Sequence, residues 1–303
     1  MTRKQITNVP ASVRQRLLNI SRKDKRPFNE LIQYYAMERF LYRLSQSDYA
    51  DSFILKGALA LQVRKVEKFR PTMDIDISQK RSDETSEIIK QIKGILSTKL
   101  EEDGLVFDLQ SMRLEDIKRD TAYKGMRVLF HGALDSAKIN MQIDISFRDV
   151  IFPEPKEKIV FPCILEFPAP KLWCYSLESI VAEKFEALMK LGDWNSRMKD
   201  FYDLWVSSRQ HDFYDHQLSK AIGLTFKNRG SSLKQEITAF KQEFIKKKEK
   251  EWKSFIKTLN QEDSPSLSDV IEFLKLFLLP IVKALTLKKP LPNYWKAPGP
   301  WVF

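Results

Sequence analysis

Cysteine and histidine are too scarce in this sequence for most disulfide or zinc architectures. The 303 residues include two cysteines and three histidines. Two cysteines do not make a disulfide framework, and we expect both to remain reduced thiols. Zinc sites are built from clusters of Cys and His, which so few residues do not provide. Disulfide-stabilised and zinc-dependent classes of protein are therefore disfavoured.

Long apolar runs are missing as well. No stretch reaches the roughly 18 apolar residues that a membrane-spanning helix needs. The opening residues, MTRKQITNVP, also lack the apolar centre of a signal peptide. We therefore expect a cytoplasmic protein with no membrane partner.

Acidic residues are outnumbered by basic ones. The chain has 51 Lys and Arg against 40 Asp and Glu, which gives a net charge of +11. Such a charge favours a polyanionic partner such as RNA, DNA or nucleotide phosphates. A merely solvated basic surface is the alternative. The apolar fraction of 43% is enough for a core in one large or two ordinary domains.

Hydrophobic periodicity predicts an α+β first half. Helices are expected at about 10–22 and 27–46, and a third from an N-cap at Ser82 to about Leu100. Strands are expected at SFILK and TMDIDIS and in three hairpin-connected segments between Gly104 and Phe147. We therefore predict a mixed sheet flanked by helices in a domain of residues 1–160.

The second half reads as mainly helical. A segment with five prolines, from Phe152 to Pro170, predicts an extended linker before it. A helical domain of residues 171–303 should follow, completing an active-site cleft and ending in an extended tail that lies across the surface. Its helices are expected at 176–191, 197–209, 232–259 and 266–286.

Two aspartates interrupt the apolar strand TMDIDIS. Side chains two residues apart in a strand share a face, so Asp74 and Asp76 should lie side by side. Met73, Ile75 and Ile77 should face the core. Two such close negative charges repel, and a cation such as Mg²⁺ relieves the repulsion. An exposed edge with two solvated acids is the alternative.

Two further features accompany this pair. The strand KINMQIDIS places Asp144 on its polar face, where it could be a second metal ligand, a general base or a simple surface residue. Gly57 lies where a strand turns into a helix, and backbone N–H groups at such a turn can approach a phosphate. An ordinary strand-to-helix turn is the alternative for Gly57.

A second group of charged residues follows in YSLESIVAEKFEALMKLGDWNSRMKDFYDLW. Lys184 lies on the apolar stripe of its helix and therefore needs an anionic partner or a route to water. Asp200 and Asp203 are three residues apart and share a face of the next helix. Lys184 could face a bound anion in a cleft, or form a structural salt bridge with Asp200.

These two segments together resemble the nucleotidyl transferase AbiEii/AbiGii toxin family, over roughly residues 10–215. The family comprises toxins of type IV toxin–antitoxin and abortive-infection systems, which act in phage defence. The resemblance implies a nucleotidyltransferase fold similar to DNA polymerase β, with NTP as substrate and Mg²⁺ or Mn²⁺ as cofactor. It also implies an RNA acceptor, with tRNA 3′ ends as the leading candidate, and an antitoxin that need not form a stable complex.

Site residues follow from the resemblance position by position. Asp74 and Asp76 match the metal-binding D-x-D, and Lys184 matches a lysine that contacts nucleotide phosphate. Asp200 matches a later essential acid, with Asp203 beside it.

One turn departs from the family pattern. The usual hydroxyl-bearing turn is Lys56-Gly57-Ala58 here, so phosphate contact would rest on backbone N–H groups. Thr72 or Ser78 would supply any hydroxyl contact.

Other functions remain open at this point. The same parts could deliver a γ-phosphate, as in a kinase-like phosphotransferase, or the chain could be a non-catalytic nucleic-acid or partner-binding module. Residues 227–257 hold ten Lys and Arg against four Glu. They predict an amphipathic helix whose basic side, including Lys246, Lys247 and Lys248, is either simply solvated or guides RNA. The basic helices around Arg22 are the alternative surface.

Overall fold

The computed structural model describes residues 8–64, 70–80, 84–120, 123–259, 264–287 and 293–302. The chain forms two compact units that are discontinuous in sequence. Unit 1 comprises Met1–Val63, Thr72–Arg148 and Glu157–Cys174. Unit 2 comprises Arg64–Pro71, Asp149–Lys156 and Tyr175–Phe303.

Unit 1 begins with the two predicted helices. Helix α1 spans Val9–Asp24 and α2 spans Phe28–Gln46. The side chain of Asn8 caps α1 by accepting a hydrogen bond from the backbone N–H of Ala11 at 3.0 Å, which satisfies an otherwise orphaned donor. Every residue from Leu31 to Leu41 in α2 is buried, so α2 is the central helix of this unit.

A five-stranded mixed sheet confirms the predicted α+β class. Its strands lie in the order β1-β2-β5-β4-β3. Only β2 and β5 are parallel neighbours, and the predicted hairpins join β3, β4 and β5 in antiparallel pairs. The strands are β1 Phe53–Lys56, β2 Ile75–Gln79, β3 Leu105–Asp120, β4 Tyr123–Leu134 and β5 Ala137–Phe147.

The core face of the central strands follows the predicted alternation, with one exception. Ile75 and Ile77 are both fully buried, as expected for inward positions of β2. Met73 is 51% exposed, so its predicted place in the core is wrong. The reason is that β2 begins only at Ile75, and Met73 therefore lies outside the alternation.

Two more helices complete the described part of unit 1. Helix α3 spans Gly57–Val63 and follows β1 directly, as predicted. Helix α4 spans Thr85–Leu96, with Glu84 at its N-cap position. It ends before the predicted limit near Leu100, and the predicted cap at Ser82 lies outside the described residues.

The proline-rich segment is partly ordered into strands. Strand β6, Ile159–Val160, pairs antiparallel with β7, Lys171–Leu172. The backbone N–H of Leu55 in β1 donates to the carbonyl of Trp173 at 2.8 Å. The residues just after β7 therefore lie along the β1 edge of the sheet in unit 1.

Unit 2 is mainly helical, as predicted. Helix α5, Leu177–Leu191, leads through a 3₁₀ turn at Gly192–Trp194 to α6, and none of the described helices is long and apolar enough to span a membrane. Its remaining elements are α6 Met198–Gln210, β8 Phe213–Tyr214, α7 Asp215–Asn228, α8 Gln242–Lys257 and α9 Leu267–Leu287.

The helix boundaries in unit 2 differ from the prediction at two places. Helix α7 was not anticipated, and the helix expected at 232–259 begins only at Gln242. Ile237 has an extended backbone, with φ −106°, and a short 3₁₀ turn at Thr238–Phe240 follows it. This break lets Ile237 and Phe240 enter the core. Within α8, Lys248 is buried and donates to Glu251, so its predicted place on a solvated face is wrong.

The C-terminal tail lies at the surface of unit 2, where most of its described residues are at least partly exposed and two buried tryptophans anchor it. Strands β9, Tyr294–Trp295, and β10, Trp301–Val302, join β8 in a small sheet. The side chains of Trp295 and Trp301 are buried. The indole N–H of Trp301 donates to the carbonyl of Phe277 in α9 at 2.8 Å.

Candidate active site

A row of charged side chains crosses the sheet of unit 1. Residues directly opposite each other in neighbouring strands point to the same face, so register alone places these side chains together. The two acids of β2 and β5 are direct neighbours, and each has a cation on its other side. From one strand to the next the row is Lys56, Asp76, Asp144, Arg127 and Glu115.

Asp144 is the predicted third acid, and it lies beside Asp76 as the alternation of β5 indicated. Its two carboxylate oxygens accept hydrogen bonds from Arg127, Nε at 2.8 Å and Nη2 at 2.9 Å. The hydrogen bonds to Asp144 raise the pKa of Arg127 above its ordinary value, although burial opposes this. Both oxygens of the third carboxylate are therefore engaged by an arginine that sequence reasoning missed.

Asp76 packs tightly against the turn at Gly57. Gly57 has φ +68°, a conformation that L side chains rarely adopt. A Cβ atom built on Gly57 would lie 2.1 Å from Oδ2 of Asp76 and 2.8 Å from its Cγ. The glycine is thus required both by the backbone and by the carboxylate that lies against it. Ala58, which follows it, is buried at the start of α3.

Lys56 lies beside the same carboxylate in the row. Its side chain is buried, and Nζ donates to the hydroxyl of Ser146 at 3.1 Å. Ser146 lies in β5, the strand beyond that of Asp76. The ammonium group therefore reaches across β2 on the face that carries the acids.

Asp74 lies just before β2 and is oriented by a hydroxyl. Oγ1 of Thr72 donates to Oδ1 of Asp74 at 2.5 Å. Thr72 is buried, and Asp74 is half-buried like Asp76. The structure thus shows Thr72 positioning an acid, whereas its role as a phosphate contact stays a prediction.

Only oxygen ligands are available for a metal ion at this row. Within the described ranges, no group of three or more His, Cys, Asp or Glu side chains could hold a metal ion. The residues that could take part in holding one are the two acids of the D-x-D, Asp74 and Asp76. The arginine on Asp144 leaves that carboxylate occupied.

The second predicted group forms a buried ion-pair network inside unit 2. Nζ of Lys184 lies 2.9 Å from Oδ1 of Asp200 and 2.7 Å from Oδ2 of Asp203. All three side chains are buried. The salt bridge from Lys184 to Asp200, considered above as an alternative to anion binding, is therefore present. The nucleotide-binding role of Lys184 and Asp200 stays a prediction.

Two arginines extend this network. Arg70 Nε donates to Oδ1 of Asp203 at 3.1 Å, and Arg197 Nε donates to Oδ2 of Asp200 at 2.5 Å. Arg197 lies just before α6, and no role was assigned to it from the sequence. Arg70 was missed, because nothing in its local pattern shows that it pairs with a residue so distant in sequence.

The charged partners in the network shift the pKa values of Lys184 and Asp200. Burial alone would lower the pKa of Lys184, but the carboxylates of Asp200 and Asp203 outweigh it and raise that pKa. Burial alone would raise the pKa of Asp200, and Lys184 and Arg197 together hold it well below its ordinary range. Lys184 and Asp200 therefore both remain charged at neutral pH.

Two solved structures are similar to this chain. A Helicobacter pylori protein described in its crystal structure as a candidate nucleotidyltransferase is 18% identical, with 86% of this chain and 97% of that chain covered and a TM-score of 0.46. The Helicobacter pylori protein JHP933 is 16% identical, with coverage of 86% and 92% and a TM-score of 0.43. No match is found among curated proteins.

The sequence itself gives the decisive match. The model of the nucleotidyl transferase AbiEii toxin, type IV toxin–antitoxin system, matches residues 39–275. That range contains both the acids on the sheet of unit 1 and the ion-pair network of unit 2. It spans well over half of the chain, and the protein therefore belongs to the AbiEii nucleotidyl transferase toxin family of type IV toxin–antitoxin systems.

Proposed function

We propose that this toxin transfers a nucleotide from a metal-bound NTP to an RNA acceptor, with the 3′ end of tRNA as the first acceptor to test. The observation that carries the proposal is the carboxylate of Asp76, which lies between Lys56 and Asp144 in the charged row, with Asp74 two residues before it. The net charge of +11 supports a polyanionic acceptor. The family implies an antitoxin partner, and we place the reaction in the cytoplasm.

The donor set fits Mg²⁺ or Mn²⁺ that arrives with the nucleotide. Mg²⁺ keeps several waters and is typically bound through one or two carboxylates together with substrate phosphates. Asp74 and Asp76 supply two half-buried carboxylates, while Arg127 engages Asp144. When bound, the ion would neutralise phosphate charge and align the α-phosphate for in-line attack.

The chain's own residues organise this reaction. An acceptor hydroxyl forms a bond to the α-phosphorus, the bond to the β-phosphate oxygen breaks, and pyrophosphate leaves. Lys56 offsets the repulsion between neighbouring carboxylates and helps to fix the orientation of Asp76. Gly57 leaves room for the carboxylate of Asp76, and the hydroxyl of Thr72 fixes that of Asp74.

Lys184 and Asp200 also belong to the proposal, since the family pattern assigns them to the nucleotide. Lys184 already shares its charge between Asp200 and Asp203. Any phosphate contact by Lys184 must therefore compete with two ion pairs, and a Lys184 variant has to be tested for stability and for NTP binding separately.

The experiment uses the purified full chain, Mg²⁺, total RNA and each NTP labelled in turn at the α- or the γ-phosphate. The proposal predicts that α-label enters RNA and that pyrophosphate is released. Transfer of γ-label would instead show a phosphotransferase. RNA binding without transfer of either label, for all four NTPs, would contradict the proposal and favour a binding module.

A further inference from the structure

Unit 2 contains a cavity that the acidic row does not explain. Its volume is about 660 Å³, which lies within the range of roughly 300–1,000 Å³ typical of small-ligand sites. Every residue that lines it belongs to unit 2. The lining includes Arg70, Ser196, Arg197, Lys199, Ser254 and Phe255.

Positive charge predominates around this cavity. Arg70 and Arg197 are the two arginines of the buried network, in which three cations face the carboxylates of Asp200 and Asp203. Lys199 adds another cation to the wall. Glu251 also lines the cavity, and Lys248 lies 2.9 Å from its carboxylate. The balance of charge favours an anionic ligand.

An aromatic side chain forms part of the same wall. Phe255 is half-buried, and its ring is supported from behind by the rings of Trp252 and Tyr202, at centroid distances of 5.7 and 5.8 Å. Ser254 and Thr258 belong to the same lining, and the hydroxyl of Thr258 donates to the carbonyl of Phe255. A ring, cations and hydroxyls together match the base, phosphate and sugar of a nucleotide.

An exposed tryptophan, Trp194, lies two residues before Ser196 of the cavity lining. Trp194 is 88% exposed, although tryptophan is usually among the more buried residues. Nζ of Lys247 lies 5.9 Å from its ring centroid. Lys247, Glu251 and Ser254 follow one stripe of α8, and the last two line the cavity. Ser196, two residues after Trp194, lines it as well.

We propose that this surface of unit 2 binds single-stranded RNA, with one nucleotide in the cavity and the adjoining base stacked on Trp194. Aromatic platforms flanked by cations are how proteins hold single strands without reading their sequence. The inference deepens the proposed function, because it assigns a surface to the acceptor strand. It can fail while the transfer reaction stands.

The test measures binding of a labelled single-stranded RNA of about eight nucleotides by fluorescence anisotropy, with the full chain and no NTP. Trp194→Ala should weaken RNA binding by roughly five- to a hundredfold, which corresponds to the loss of stacking on one base. Trp194→Phe should restore most of the affinity, because the stacking face remains. Because Trp194 is exposed, its substitution should not unfold the protein, and melting curves of the variant check this.

Lys247 provides a charge test with a matched control on the same helix. Lys247→Ala should reduce the slope of log affinity against log salt by about 0.7, the loss of one phosphate contact on a single strand. Lys253→Ala removes the same charge from another stripe of α8 and should leave the slope unchanged. Equal effects of the two substitutions would overturn the proposed surface.

Three further outcomes separate this inference from the reaction. Asp76→Ala should bind the RNA as wild type does, even where transfer is lost. Wild-type RNA affinity in Trp194→Ala would overturn the inference and leave the transferase proposal intact. If Phe255→Leu lost NTP binding and kept RNA binding, the cavity would belong to the donor nucleotide. That result would also overturn the inference.

Discussion

Gly57→Ala tests the contact between the glycine turn and the carboxylate of Asp76. The substitution has two separable costs. A non-glycine residue at φ +68° pays roughly 1–2 kcal/mol for the left-handed conformation. The new Cβ would also lie 2.1 Å from Oδ2, 2.8 Å from Cγ and 2.9 Å from Cβ of Asp76, so the whole side chain must move. Overpacking of this kind costs about 1–3 kcal/mol more.

Gly230 offers a matched control for the backbone cost alone. Its φ is +63°, and a Cβ added there meets nothing within 4 Å. Gly230→Ala should therefore lower the free energy of unfolding by about 1–2 kcal/mol, and Gly57→Ala by more. The measurement is urea denaturation followed by circular dichroism, and equal costs for the two variants would refute the close contact.

A double-mutant cycle then identifies Asp76 as the obstacle. Asp76→Ala removes Oδ2 and Cγ and leaves its Cβ in place, so Gly57→Ala should cost less in that background. Transfer activity should also fall in Gly57→Ala, because the displaced carboxylate is a proposed metal ligand, whereas Gly230→Ala should transfer as wild type does. An additive cycle would place the strain elsewhere.

Three further predictions follow from the ion pairs. Lys184→Ala should lower the free energy of unfolding by about 3 kcal/mol, because a buried ion pair loses one partner while each carboxylate keeps an arginine. Isothermal titration calorimetry, at a temperature where the variant is folded, should show weaker NTP binding. An unchanged NTP affinity would leave Lys184 with a structural role only. Because the folded-state pKa of Asp200 is depressed, its stabilisation is complete above about pH 4 and declines as pH falls further. Asp200→Asn should flatten this acid limb of the melting temperature, and an unchanged limb would show that Asp200 does not produce it. Arg127→Ala should lower the free energy of unfolding, measured by urea denaturation, by about 1.5–3 kcal/mol, which is typical of a hydrogen bond to a charged group. Added Mg²⁺ should raise the melting temperature of Arg127→Ala more than that of the wild type, because the substitution releases the carboxylate of Asp144 beside Asp76. An equal rise in the two proteins would contradict this prediction.

Local pattern was sufficient for much of this fold. The periodicity of α1, α2 and the three hairpin strands depends on neighbours in sequence, and so does the alternation that buries Ile75 and Ile77 in β2. Asp144 could be assigned to the polar face of β5 for the same reason. These features were predictable because each is decided within about ten residues.

The missed features depend on contacts between distant segments. Arg127 reaches Asp144 because β4 and β5 pair in one register, and Arg70 reaches Asp203 across 133 positions. The spacing of hydrophobic residues along the chain indicates neither the register between two strands nor the pairing of residues far apart in sequence. Lys248 was misplaced for a similar reason, since its burial depends on how α8 packs. The burial of Trp295 likewise depends on other segments of unit 2 and could not be derived from the pattern of the tail alone.

The central claim is that Asp74 and Asp76 hold a metal ion with the nucleotide, and ion binding tests it without knowledge of the acceptor. Electron paramagnetic resonance can measure Mn²⁺ binding in the presence of a non-hydrolysable NTP analogue for wild type, Asp76→Ala and the exposed-acid control Asp108→Ala. We predict that Asp76→Ala weakens Mn²⁺ binding by about tenfold or more, since even outer-shell partners of a metal are worth roughly 10–100-fold. Asp108→Ala should bind as wild type does. Wild-type Mn²⁺ affinity in Asp76→Ala would contradict the account.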